Sequence, residues 1–155
     1  TIVLDAATLA VKRQFRSLGG TIRNCSGGVT PWGSWLTCEE APTGPGQRFG
    51  DGLERNHGWV FEVPASAPGL VDPVPLTAMG RFNHEAAVVD PVTGIVYMTE
   101  DRDDSVFYRF LPNTPGKLAA GGRLQAMVIE GLADTRNWTI AAMPVGQPYR
   151  VSWVD

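Results

Sequence analysis

The feature that most limits this chain is its punctuation. Gly 18 and Pro 12 fall within 155 residues, and they recur at short intervals with Asn and Asp between runs of β-branched and aromatic residues. Such a pattern leaves no room for long helices and favours short strands joined by tight turns. The runs read as strands are Ser34–Glu39, Gly58–Val63, Glu85–Val89, Ile95–Glu100, Val106–Leu111, Leu124–Ile129 and Tyr149–Val154. Asp90-Pro91-Val92-Thr93-Gly94 is the clearest turn, because Pro presets φ and Gly accepts the positive φ that ends it. It joins two of these runs, and Asp101–Asp104 joins the second to a third, so the chain is expected to form antiparallel meanders. Asp5–Arg16 reads as an N-terminal arm or short helix, with Asp5 as a cap, and Gly131–Thr139 as a poorer second helix. Ala41–Asn56 and Ala65–Leu76 are long connections, and loops of that length in compact domains tend to carry function.

Aromatic-rich meanders repeating at 40 to 45 residues or so are the signature of propeller blades. Gly58-Trp59-Val60-Phe61-Glu62-Val63 and Ser105-Val106-Phe107-Tyr108-Arg109-Phe110 read as equivalent strands of successive blades, 47 residues apart. At that spacing the chain holds about three blades, fewer than the roughly 4 to 8 of a closed propeller. The expected fold is therefore all-β, an incomplete β-propeller over residues 1–155. Residues 1–20 form the arm, and residues 113–155 a further blade.

Charge and cysteine content remove several function classes. A net charge of −3 without any basic run is the opposite of a nucleic-acid surface. The longest apolar stretches, near Ala86–Val89 and Gly94–Met98, fall far short of the ~20 residues a membrane span requires. With His57 and His84 as the only histidines, any metal site must use carboxylates, main chain and a thiolate. Cys25 and Cys38 have no zinc-motif spacing; they are either a pair that forms a disulfide or two thiols.

Three constellations carry chemistry. The first runs from Asn24 to Glu40, where glycines, Pro31, Trp32 and Trp35 precede Cys38-Glu39-Glu40. A thiolate beside hard carboxylates suits iron, with calcium on the neighbouring carboxylate. Adjacent strand residues face opposite ways, so Cys38 and Glu39 serve one cation only where the strand bends or ends; the alternative is a buried Cys with two surface Glu. The second is Gly80–Ala86, in which Arg81 offers a planar fork for phosphate or carboxylate and Glu85 an acid ligand or base. The alternative there is an Arg81–Glu85 ion pair. The third is Thr99–Ser105, where four acids lie in five residues. Asp103 and Asp104 read as an exposed turn, and Glu100, at the end of an apolar strand, has the stronger claim to a function. GxSxG, P-loop and HExxH frames are absent.

Taken in order, Asn24–Glu40, His57–Val63, Gly80–Ala86, Val96–Asp101 and Phe107–Phe110 resemble the PhoX-type alkaline phosphatases over about Arg23–Pro112. The resemblance implies an exported β-propeller hydrolase, periplasmic or secreted, that releases phosphate from phosphomonoesters with iron and calcium. By this resemblance Cys38 matches the iron-bridging thiolate, Glu39 a calcium ligand and Glu85 a further metal carboxylate. Either Glu100 or Asp101 supplies another ligand, and Asn24, Arg81 and His84 stand on the phosphate side. Members of that family are longer and draw ligands from later blades. The chain is accordingly expected to be part of a propeller that packs with its remaining blades or with a second copy. A non-catalytic, partner-binding fragment is the alternative function, and a calcium-dependent propeller lactonase, insensitive to Cys38→Ser, is the weaker one.

Overall fold

A computed structural model describes residues 1–139 and 141–155 of the chain. Its strands are β1 (Ile2–Leu4), β2 (Val11–Gln14), β3 (Asn24–Val29), β4 (Ser34–Glu39), β5 (Val60–Pro64), β6 (His84–Val89), β7 (Val96–Glu100), β8 (Tyr108–Pro112), β9 (Gly122–Ile129) and β10 (Val151–Val154). They form three antiparallel sheets: the hairpin β1-β2, the meander β3-β4-β5 and the meander β6-β7-β8-β9-β10. The only helical segments among the described residues are single 3₁₀ turns at Thr77–Met79 and Leu118–Ala120. No helix there is long and apolar enough to cross a membrane.

The strands follow the punctuation. Asp90 caps the β6–β7 turn by accepting from Val92 N–H at 3.0 Å, and Gly94 N–H returns to Asp90 O at 2.8 Å. In the β3–β4 turn the Thr30 side chain accepts from Ser34 N–H at 2.9 Å. Strand β4 buries Ser34, Leu36 and Cys38 on one face and then breaks its alternation, because Glu39 is buried as well. The core lies between the two meanders and includes Leu36, Cys38, Val60, Met79, Met98 and Phe110. Complete burial of each large apolar side chain contributes roughly 1.5–3 kcal/mol.

The first strands of the two meanders, β3 and β6, lie against each other. Gly28 permits this, since a Cβ at that position would overlap the carbonyl oxygen of Ala87 on β6. Asn24 pairs with Glu39 where β3 begins and β4 ends, and His84 pairs with Glu100 where β6 begins and β7 ends. The close approach of β3 and β6 therefore gathers the residues at these strand ends at one rim. The segments matched in sequence, β5 and β8, are each the third strand of a meander.

Two expectations change. Asp5–Arg16 is not a helix: Asp5 Oδ1 accepts from Ala7 and Thr8 N–H, both at 3.0 Å, and the resulting turn feeds β2 back onto β1. A short polar side chain that bonds the backbone two or three residues ahead competes with helix formation and starts a turn equally well. Gly131–Thr139 is turn and irregular chain, with Gly131 at φ 80°. Asn24–Val29, whose two central glycines hid its strand character, is a strand.

Candidate active site at the rim of the two sheets

Glu39 is the most densely bonded side chain at the rim. Its carboxylate is completely buried and accepts from Ile22 N–H at 2.9 Å, Gly58 N–H at 2.7 Å and Trp59 N–H at 3.1 Å. His57 Nδ1 completes the set at 2.7 Å from Oε1, and assigning the Nδ1–H tautomer makes it a donor. Gly58 presents its N–H from φ 101° with Pro42 packed where a Cβ would be, so no side chain fits this corner. Arg81 adds a further layer: its Nε–H donates to His57 O at 2.8 Å and its Nη2 to Thr43 O at 3.0 Å. Glu39 and Arg81, read from the sequence as cation and phosphate groups, thus have both carboxylate oxygens and two guanidinium nitrogens committed to tying the 41–59 connection to β4.

Three other residues read as site groups are also tied to the fold. Asn24 Nδ2 donates to Thr37 Oγ1 across the β3–β4 pair at 2.9 Å. His84 is fully buried, its ring 3.6 Å from that of Phe82, and its Nε2–H donates to Gly80 O at 3.0 Å. His84 Nδ1 has no partner, and burial pulls the imidazole pKa down to about 4. Cys38 lies in the core, where burial and then the neighbouring Cys25 push its thiol up to about 12. A thiol so disfavoured as thiolate is a small apolar filler. Both cysteines are free.

The next residue in sequence behaves differently. Glu40 leaves the strand toward the rim, where the neighbouring carboxyl of Asp101 raises the Glu40 pKa. Cys25, exposed on β3, lies near Glu40; partial desolvation and then the charges of Glu40, Glu85 and Asp101 raise its pKa. Three carboxylates and a thiol thus share one electrostatic neighbourhood, with Arg23 against them, 3.6 Å from Glu40. Glu85 accepts from Thr99 Oγ1 at 3.3 Å, and Glu100 from Val106 N–H at 3.2 Å and Tyr108 O–H at 3.5 Å. Glu85 and Glu100 line a cavity of about 440 Å³ together with Thr99 and Ser105. Among the described residues, no three His, Cys, Asp or Glu side chains stand close enough together to hold a metal ion. The donor chemistry nevertheless fits cations: carboxylates in mutual contact hold excess negative charge, and a soft sulfur lies beside hard oxygens.

A second cavity, of about 430 Å³, is lined by Arg23, Arg48, Arg102 and Asn83 together with Glu40 and the apolar Ile22, Pro42 and Leu53. Three arginines lining one cavity offer planar, permanently charged donors to an anion with several oxygens. Of the residues read from the sequence as site groups, the fold brings Glu85 and Asp101 into the Cys25–Glu40 neighbourhood and puts Glu100 on the adjacent cavity. Glu40, Arg23 and Arg102 also stand at this rim without having been singled out from the sequence, and so does Cys25, which the sequence offers as a partner for Cys38. The one available signal was strand parity in Cys38-Glu39-Glu40, which puts Glu40 on the face that Cys38 uses only if the strand runs on past Glu39.

The family model of alkaline phosphatase PhoX matches residues 5–155. No curated protein matches the chain significantly. Among solved structures, Pseudomonas fluorescens PhoX in complex with vanadate, a transition state analogue, is similar at a TM-score of 0.52 and 26% identity, over 71% of this chain. This chain spans only 27% of the length of that one. Because the family model extends over almost the whole sequence, the chain belongs to the PhoX alkaline phosphatase family.

Proposed function

We propose that this chain supplies part of the catalytic centre of a metal-dependent phosphomonoester hydrolase, and that its two meanders are blades of a β-propeller. The observation that carries this reading is the juxtaposition, around Glu40, of a carboxylate–thiol neighbourhood and an arginine-lined cavity. Family membership supports the reaction class. Cys25, Glu40, Asp101 and Glu85 are the residues that would contribute ligands to iron and calcium, although no three of them stand within reach of a single ion here. Cys25 takes the thiolate role assigned from the sequence to Cys38, because its sulfur is exposed and faces carboxylates. When bound, the cations would supply positive charge against the phosphoryl oxygens.

The chain's own residues do the rest. Arg23 and Arg102 clamp the phosphoryl group through planar, permanently charged forks. The contact between Glu40 and Asp101 raises the proton affinity of Glu40, and it builds the negative charge that draws cations to the rim. Val106 N–H and Tyr108 O–H orient the Glu100 carboxylate beside the cavity it shares with Glu85. The knot at Glu39 and Arg81 fixes the 41–59 connection, so that Arg48 and Arg23 face the same opening. By the same family reading the protein works in the periplasm or outside the cell.

The test is metal analysis of the purified chain after loading with iron and calcium, together with hydrolysis of 4-nitrophenyl phosphate. Metal uptake that Cys25→Ser abolishes and Cys38→Ser leaves intact is expected, with phosphate release. Absence of both metal uptake and release overturns the proposal. A second reading is favoured by the 27% span of the relative: the chain alone is a non-catalytic piece completed by further blades or by another copy. Uptake without turnover identifies it.

A further inference from the structure

The arginine-lined cavity has an aromatic lip that the phosphate group does not need. Phe49 lies in the connection between β4 and β5 and lines the cavity with Arg48, Arg23 and Arg102. Its ring is 79% exposed, which is unusual for so large an apolar side chain beside a polar opening. The Arg48 guanidinium lies 4.6 Å from the ring centroid. This cation–π contact orients the ring while leaving most of it open.

The backbone that carries the ring is also held in place. Thr43 Oγ1 donates to Arg48 O at 2.7 Å, Gln47 N–H to Gly44 O at 3.0 Å and Gly50 N–H to Gln47 O at 2.9 Å. Between these bonds Phe49 adopts φ 63°, in the left-handed region. A bulky side chain seldom occupies that region, and does so where the surroundings over-determine it. Sequence and local bonding therefore combine to present an exposed aromatic face at a cavity suited to an anion.

We propose that this cavity is a subsite for phosphate esters whose alcohol carries a planar ring, with the phosphoryl group on Arg23 and Arg102 and the ring stacked on Phe49. The inference rests on the phosphatase reading for its reaction but not for its binding step, which uses the chain's own arginines. Phosphonates, which cannot be hydrolysed, separate the two. In calorimetric titrations phenylphosphonate binds the chain at least about fivefold more tightly than methylphosphonate, the low end of what stacking one ring on an aromatic side chain contributes. Phe49→Ala removes that preference, Phe49→Trp keeps it, and Arg102→Ala weakens both ligands by the same factor. As an exposed side chain, Phe49 can be replaced without loss of core packing, which circular dichroism of the variant verifies. Equal affinity for the two phosphonates, a preference that survives Phe49→Ala, or no binding of either ligand overturns the subsite. Hydrolysis of 4-nitrophenyl phosphate by the metal-loaded chain in any of these cases leaves the phosphatase reading standing; its absence fails that reading separately.

Discussion

Glu39 and Glu40 are neighbours in sequence with opposite surroundings. Around Glu39 four donors converge on one buried carboxylate, and every oxygen is satisfied. Around Glu40 acids and a thiol face each other, and the carboxyl is driven toward protonation by Asp101. The first region stabilises the fold at the expense of chemistry, since a carboxylate with no free lone pair binds nothing new. The second is held together by the scaffold despite its own repulsion, which is how functional sites commonly depart from locally favourable arrangements. A residue's charge and motif position are therefore weaker guides to its role than whether its hydrogen-bonding capacity is already spent.

The sharpest way to break this contrast is to truncate each glutamate. Glu39→Ala leaves a buried histidine and three backbone donors without their acceptor, so it is expected to cost about 4 kcal/mol, since each buried donor left unsatisfied costs roughly 1–3 kcal/mol. Urea unfolding measures it, and a cost below about 1 kcal/mol would show that the knot is not structural.

The next effect comes from pH. His84 has a folded pKa of about 4 against 6.5 for the free side chain. The unfolded chain therefore takes up a proton that the folded one refuses. The sign follows: stability is unaffected above about pH 6.5, declines as the pH falls, and levels off below about pH 4, for a loss of about 3 kcal/mol. His84→Gln is expected to flatten this limb of the stability–pH curve. An unchanged curve would contradict the burial argument.

Smaller again is the cysteine pair. Cys38→Ser puts a hydroxyl into an apolar core and is expected to lower stability by about 2 kcal/mol. Cys25→Ser is expected to stay within ±0.5 kcal/mol, as an exposed change should. Chemical unfolding of the two variants side by side checks this, and equal effects would erase the distinction between core thiol and site thiol. The smallest stability effect belongs to Glu40→Gln. It removes repulsion and is expected to change stability by less than about 0.5 kcal/mol, while metal affinity falls at least about tenfold, no less than losing an outer-shell partner of a metal ligand costs. Equilibrium dialysis with iron and calcium reads the second number.

Much of the fold could be read in advance because its determinants are local. Ser34–Glu39 was expected and is β4, and the Asp90–Gly94 turn lies between β6 and β7 as the Pro and Gly positions require. Strand edges moved by one or two residues: the run from Val106 became β8 at Tyr108, and that from Tyr149 became β10 at Val151. Asn24–Val29 was missed because Gly27 and Gly28 depress strand propensity, and their purpose appears only where β6 passes over Gly28. Of the two readings near Asp5, short helix or extended arm, the helix gives way because the same capping side chain initiates a hairpin turn.

The site was less legible. The sequence by itself determined the all-β class, the meander order, the absence of a basic surface and the stock of thiol, carboxylate and guanidinium groups from which a centre can be built. Which of those groups are free was decided by tertiary structure alone. The chain segment 57–59 folds over the end of β4 and consumes Glu39, the core claims Cys38, and Arg81 is drawn to two backbone carbonyls. Cys25, Glu40, Glu85 and Asp101 meet only because β3 packs on β6. The physical reason is one of range. Turn and strand preferences are set by a residue's near neighbours, whereas the satisfaction of a buried polar group depends on donors that arrive from tens of residues away.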